Sequence, residues 1–467
     1  MKLIHEWRRP LVKRFAGVST KRVARAVAAM LATGLCVGTV AACGNPVASS
    51  DDTDTKAVGY WPKTSQKLDG VNLTFWSGPQ SNKIPVQVIN AFQKKTGAKV
   101  KLVTIPEVYE NNSQSKITTG DVPDLAFWQP TRSMLTGLVA QGKLQKLDNA
   151  PFEKDYKKGI DDEAGLYKNT RYSIIISMPP TIGVYYNKEV FKAAGINEVP
   201  QNWNDFVATA QKIKDANLPN VGSPLYEMGG SQWGTQWAVQ AQLAEAAKAG
   251  LWDRVNSGKE KFTDSHILDA ITEYQSLFKR GLYNTDAGSA KDTAQEKALW
   301  EGNTAMIFGN ASQFLGVTAL ANHDKSALDQ RIGYFPVSKR GNYATLIPDG
   351  SNAVVAFKTK DAKREAAARQ FLNFWMTDDY KAFIDEQNII SVKKNVDSPA
   401  TVPQASLDMA KSIQHSVGAM QLEAIANPDL YVNLANMVND TMTPQQVAQT
   451  TQDQFTQVAK AQGAKGF

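Results

Sequence analysis

Between Val71 and Trp128 the apolar residues switch repeatedly between period two and period 3.6, and few architectures accommodate that. Val71, Leu73 and Phe75 alternate with polar residues up to Trp76, the pattern of a half-buried strand. After Ser77-Gly78-Pro79, Ile84, Val88, Ile89 and Phe92 recur at helical spacing. Lys95-Thr96-Gly97 closes that helix with a basic residue in its last turn and a glycine beyond. Val100 and Leu102 open another alternating strand, and Pro123 to Trp128 reads as a third. Strands interleaved with helices predict a parallel, βαβ-type sheet. Tyr172 to Met178 is a β-branched run suited to a central strand. Trp203, Phe206, Ala210 and Ile213 mark one face of a helix capped by Asn202, and Ala367, Phe371, Phe374 and Trp375 mark another opening near Asp361. Residues 401–467 read as helical, with Pro428 and Pro444 as breakers. No internal repeat of fixed period is present, so the class is α/β, in two lobes.

The N-terminus is of another kind. Lys2, Arg8, Arg9, Lys13, Arg14, Lys21, Arg22 and Arg25 precede an uncharged run from Ala26 to Ala42, and Val40-Ala41-Ala42-Cys43 ends it. Basic region, apolar region and small-residue cleavage site are the parts of an export signal. The four residues at the cut resemble a bacterial lipobox, in which the cysteine is lipidated and becomes the new N-terminus. Residues 1–42 are therefore expected to be a lipoprotein signal peptide, Cys43 the lipidation site, and 43–67 a flexible tether rich in Ser, Asp and Thr. Tyr60 and Trp61 are exceptions within the tether, apolar enough to dock on the body. A retained anchor is the competing reading, but 17 residues broken by Gly34 and Gly38 are short for a span of about 20. Arg8-Arg9 resembles a twin-arginine signal only faintly, since it lies well upstream of the apolar run. The route of export is left open.

Removing the leader changes the charge. Residues 1–42 hold 8 of the 52 Lys and Arg and one of the 45 Asp and Glu, so the chain from Cys43 onward carries 44 of each. The body is neutral and lacks the overall basicity of a nucleic-acid binder. With Cys36 in the leader and Cys43 lipidated, neither of the two cysteines is left for a disulfide or a thiolate metal site. Stability must come from burial, for which the remaining chain is long enough to build two cores.

Four stretches, in order, carry a resemblance. They are Leu73-Thr74-Phe75-Trp76 with Phe92 to Gly97; Thr119 to Asp124 running into Phe127-Trp128; Gly183 to Phe191 with Ala194-Gly195-Ile196, Pro200 and Trp203; and Gly302-Asn303-Thr304-Ala305-Met306 with Gly309. Ala366 to Trp375 adds to them. The combination resembles the extracellular solute-binding proteins of ABC importers, specifically the carbohydrate-type branch (family 1) related to maltose-binding protein. The resemblance implies a two-lobed periplasmic-binding-protein-like fold with discontinuous lobes joined by a hinge. The expected division is 68–172 plus 352–396 for lobe one and 173–351 plus 397–467 for lobe two.

A sugar site wants flat aromatics for C–H faces and polar groups for hydroxyls, at the C-terminal ends of sheet strands. Trp128 ends a predicted strand and matches a sugar-stacking tryptophan of the family, although a core tryptophan is the plain alternative. Gln129 and Arg132 follow on the same loop, where Thr131 stands in place of the family's carboxylate. Ser77 and Gln80 are the contact candidates of the first strand-end loop, with Trp76 packed beneath. In Glu227 to Trp237, Trp233 and Trp237 could share one helix face. Trp233 is the ligand-facing choice, with Gln232 beside it. The glycines there match no phosphate-loop spacing. Asn310 replaces a stacking aromatic of the family, and Asp349 and Ser351 occupy a turn beside the predicted cleft. No zinc motif, nucleophile elbow or phosphate loop involves His5, His266, His323 or His415. No metal and no cofactor are expected, and no catalytic residue.

The expectation is a lipid-anchored monomeric receptor that captures a carbohydrate outside the cell and delivers it to the permease subunits of an ABC importer. It would be no enzyme, would touch the membrane only through its lipid, and would bind no nucleic acid. A receptor for an amine or a peptide is the alternative within the fold, and a surface carbohydrate-active enzyme the alternative outside it.

Overall fold

The computed structural model describes residues 60–78, 85–106, 109–160, 164–347 and 352–467, all within the compact unit Thr53–Phe467. Cys43, Gln80, Asp349 and Ser351 lie outside the described residues.

The strands are β1 (Asn72–Ser77), β2 (Lys99–Thr104), β3 (Leu125–Phe127), β4 (Leu166–Tyr167), β5 (Thr170–Arg171), β6 (Ser173–Ile175), β7 (Thr181–Asn187), β8 (Ser223–Leu225), β9 (Thr304–Gly309), β10 (Ile332–Phe335), β11 (Ala344–Leu346), β12 (Ala353–Ala356) and β13 (Ser416–Gly418). Helices α1 (Val86–Thr96), α2 (Arg132–Ala140), α3 (Trp203–Asp215), α4 (Trp237–Gln242), α5 (Ala311–Leu320), α6 (Ala362–Met376) and α7 (Met420–Glu423) carry most of the packing discussed below.

The first sheet runs β2-β1-β3-β12-β6, and the second runs β13-β11-β7-β9-β8 with β10 added to β7. In the first, β1 pairs in parallel with β2 and β3, as the alternation predicts. Period-two geometry sends successive side chains to opposite faces. Phe75, Phe127 and Val354 therefore enter one core with Phe92, Phe371 and Trp375, while Trp76, Trp128 and Val355 enter another with Leu135 and Leu138. The second sheet is covered in the same way. Val184 and Phe308 face a core that contains Trp203, Phe206 and Ile271, and Tyr185 and Ile307 face one that contains Phe314 and Leu328. Each sheet is thus the middle layer of an α/β/α sandwich, one per lobe.

Local signals set the helix ends. Gly97, at φ 81°, closes α1 in the left-handed conformation and donates to Gln93 O at 2.9 Å. Asn202 caps α3 by accepting from Asp205 N at 3.0 Å, and Asp361 caps α6 by accepting from Lys363 N and Arg364 N.

Several expectations change. Tyr172 to Met178 supplies an edge strand, β6, whose pairing with β12 extends the first sheet past the division expected at 172/173. Pro444 begins an 18-residue helix rather than breaking one, since its missing N–H is not needed in a first turn. Ser416–Gly418, read as helical, is a strand parallel to β11. Trp61 docks on the body as expected, and the stretch after it, expected as tether, is held too. Arg369 Nε donates to Tyr60 O, Asn373 Nδ2 to Pro62 O and Trp61 Nε1 to Asp148 O, at 3.0–3.1 Å.

The chain crosses between sheets at 176–180 and again after Ile347, and the crossings bind each other. Ile176 N donates to Asn352 O at 2.8 Å, Ser177 Oγ to Asn352 Oδ1 at 3.0 Å, and Ile347 N to Pro180 O at 3.1 Å. Adjacent crossings between two lobes are where a hinge lies.

Candidate functional site

The C-terminal ends of β1 and β3 put Ser77 and the Gln129-to-Arg132 loop on the side of lobe one that meets α7 of lobe two. Thr131, buried, caps α2 by accepting from Met134 N at 3.1 Å. That gives a structural purpose to the residue that stands where the family has a carboxylate. The cap aims Arg132 outward from the first turn. Its Nη1 lies 3.2 Å from Asp253 Oδ1 and its Nη2 3.4 Å from Glu423 Oε2, both on lobe two. Asn256 fixes α7 in turn, donating to Glu423 O and accepting from Ile425 N, each at 2.9 Å. A groove of about 610 Å³ opens beside these ion pairs. Arg132, Thr136 and Tyr167 line it from lobe one, and Asn256, Leu422 and Glu423 from lobe two.

Trp128 requires a correction. It is fully buried, its Nε1 donates to Met134 O at 3.2 Å, and its ring meets Phe357 edge-on at 6.4 Å. α2 covers the sheet face onto which alternation turns it, so no face remains for a sugar to stack on. Trp76 is buried in the same core. Ser77 is also fully buried, and its Oγ has no hydrogen-bond partner among the described residues. Gln129 is half-buried on the loop between them.

Asn310 serves as a helix cap. Its Oδ1 accepts from Ser312 N at 2.7 Å, while Gln313 Oε1 accepts from Asn310 N at 2.9 Å, a capping box that opens α5. At 6 % exposure it offers little to a solute.

Trp233 and Trp237 do not share a helix. α4 starts at Trp237, which is buried, and Trp233 sits in the preceding turn, half-buried, with the rings T-shaped at 5.9 Å. Gln232 is exposed at the tip of that turn. Behind it, Glu227 is fully buried. Tyr274 Oη donates to its Oε2 at 2.8 Å and Met228 N to its Oε1 at 2.9 Å. Burial pushes this carboxyl up to about 7, the two hydrogen bonds opposing the shift.

Sequence reading missed Asp253, Glu423 and Tyr167. Asp253 and Glu423 lie 121 and 291 residues from Arg132, so no local pattern links them. Among the described residues there is no group of acidic, histidine or cysteine side chains that could hold a metal, and no helix is long and apolar enough to cross a membrane.

Two α/β/α lobes, joined by paired crossings and facing one groove, define a solute-binding receptor architecture. The chain belongs to the bacterial extracellular solute-binding protein family, whose model matches residues 78–382. Its relatives include the diacetylchitobiose-binding protein DasA of Streptomyces coelicolor, 23 % identical over 402 residues that cover 81 % of this chain and 86 % of DasA. The putative binding protein MsmE of Bacillus subtilis, in an open conformation, superposes with a TM-score of 0.68 at 16 % identity, covering 86 % of this chain and all of that one. A chitin-oligosaccharide-binding protein superposes with a TM-score of 0.65 at 18 % identity, covering 84 % and 99 %.

Proposed function

We propose that the protein is a lipid-anchored receptor that captures a carbohydrate, an oligosaccharide, between its lobes and presents it to the permease subunits of an ABC importer. The observation that carries this reading is the groove beside Arg132, lined from both lobes and crossed by ion pairs. A solute seated there touches both lobes at once and so favours the closed state, which is all that a closure signal requires. Arg132, Asn256 and Glu423 offer donors and acceptors to hydroxyls, and Tyr167 offers an aromatic face; half-buried Trp233, which does not line this groove, is proposed as a second aromatic contact beyond its edge. Gln129 and Gln232 are proposed as rim contacts. The names of DasA and of the chitin-oligosaccharide-binding protein make N,N′-diacetylchitobiose the first probe. The division into lobes near 68–175 plus 352–396 and 176–351 plus 397–467, anchoring through Cys43, a monomeric state and the absence of catalysis belong to the same proposal.

Titration with a panel of oligosaccharides, amines and peptides, read by calorimetry, tests the ligand class. Binding of an amine or peptide without any sugar overturns it, and a sugar recovered cleaved makes the protein an enzyme. Labelling with a fatty-acid probe tests the anchor, since Cys43→Ala abolishes incorporation only if that cysteine carries the lipid.

A further inference from the structure

Gln232 adopts φ 61° and ψ −59°, a conformation that side-chain-bearing residues avoid. Trp233 N donates to Ser231 O at 2.8 Å, so these three residues form a tight γ-turn of the rare, strained hand. Such a turn persists only where its surroundings over-determine it. From behind, Gly229 N donates to Ala287 O at 2.7 Å and Gly230 N to Ala290 O at 2.9 Å. A Cβ on Gly230 would stand 2.2 Å from Ser289 O, so the backbone there is pressed against its neighbour.

From the front a row of three amides holds the turn. Gln236 Nε2 donates to Trp233 O at 3.0 Å, and Gln421 Nε2 donates to Gln236 Oε1. Gln240 Nε2 donates to Gln421 Oε1 at 3.3 Å, and Met420 N donates to Gln240 Oε1 at 3.2 Å. Donor follows acceptor along the row, from the backbone of the turn to the backbone of α7. Gln236 and Gln240 are buried, so each lost partner leaves a desolvated amide group. Two residues beyond Gln421 on α7, Glu423 meets Arg132 of the other lobe.

We infer that Gln421 is a positioning residue that fixes the strained Trp233 turn and couples it, through α7, to the Arg132 contact made when the lobes close. Gln421 does this without touching the solute. The coupling gives the receptor a reason to keep a costly turn: the aromatic face is set only while α7 is held, and α7 is held most firmly in the closed state. The inference rests on the receptor reading for its purpose, but not for its geometry.

Amide hydrogen exchange on the full-length chain separates the two. Gln421→Met keeps the volume and removes both amide bonds. It should speed exchange across 231–237 about tenfold, the loss of one or two hydrogen bonds, with β9 exchange affected far less and the urea midpoint lowered only modestly. Gln421→Glu cannot donate to Gln236 and should act likewise, and Gln236→Met provides a second break in the row. Arg132→Met should raise exchange in the same peptides, and affinity for N,N′-diacetylchitobiose should fall several-fold in every variant. Unchanged exchange at 231–237 in Gln421→Met overturns the positioning role, and unchanged exchange there in Arg132→Met overturns the coupling. Faster exchange in a protein that binds no sugar upholds the positioning and removes the receptor reading instead.

Discussion

Arg132 Nη2 stands 3.4 Å from Glu423 Oε2 although their helices rest on different sheets, and Arg132 Nη1 stands 3.2 Å from Asp253 Oδ1. On the proposed closure mechanism, these pairs should favour closed lobes before any solute arrives. Asp253 is well exposed, so its pair contributes little, and the pair with the more buried Glu423 contributes most. Half-exposed pairs contribute about 0.2–1 kcal/mol each and weaken with salt. Arg132→Met should therefore shift the ligand-free equilibrium toward open lobes by about fivefold. Small-angle scattering should show a larger radius of gyration, and the wild-type protein in about 1 M salt should move the same way. Identical scattering from both proteins rules the latch out.

Glu227 gives a prediction with a definite sign. Its carboxyl is raised by burial from 4.5 to about 7, and half-buried Glu296 is raised to about 7 by burial and by neighbouring Asp292. Between pH 4.5 and about 7 the unfolded chain has released these protons while the folded chain keeps them. The stability they contribute is full below 4.5, is lost as pH rises through about 7, and is level above that. Glu227→Gln should flatten the fall in urea midpoint across this window, and adding Glu296→Gln should flatten it further. An unaltered slope would show that the carboxyls titrate normally.

Trp128→Ala should cost about 3–5 kcal/mol of stability, as for a large core aromatic. The loss combines a cavity beneath α2 with the hydrogen bond to Met134 O. Chemical denaturation measures it. A melting temperature left unchanged while sugar affinity collapses would return Trp128 to the site.

The contrast between Trp128 and Trp233 shows how far the sequence could be read. Strands and helices were legible because each end carries a local signal, such as Gly97, Asn202 and Asp361. Trp128 at a strand's end looks like a platform, and alternation does fix its face. Whether a helix covers that face is decided by α2, which no residue near Trp128 announces. Arg132 was legible as a candidate but its ion-pair partners were not, because Asp253 and Glu423 are brought to it only by the second sheet. Pro444 and Ser416–Gly418 failed for a smaller reason: a first-turn proline and a three-residue strand leave almost no periodicity to detect.

Gln232→Gly tests whether the strained turn serves binding. A side chain held at φ 61° and ψ −59° costs about 1–3 kcal/mol, and glycine, lacking a Cβ, avoids most of that. Glycine also loosens the unfolded chain, which takes back up to about 1 kcal/mol. The net expectation is a gain of about 1 kcal/mol in a urea titration, whereas Gln232→Val, β-branched in a left-handed position, should lose stability. The freed turn should hold Trp233 less firmly, so affinity for N,N′-diacetylchitobiose should fall while stability rises. Opposite signs in the two measurements are the signature of strain kept for recognition. If glycine raises stability and leaves affinity intact, the turn is merely a tolerated defect and Trp233 is set by packing against Trp237 alone.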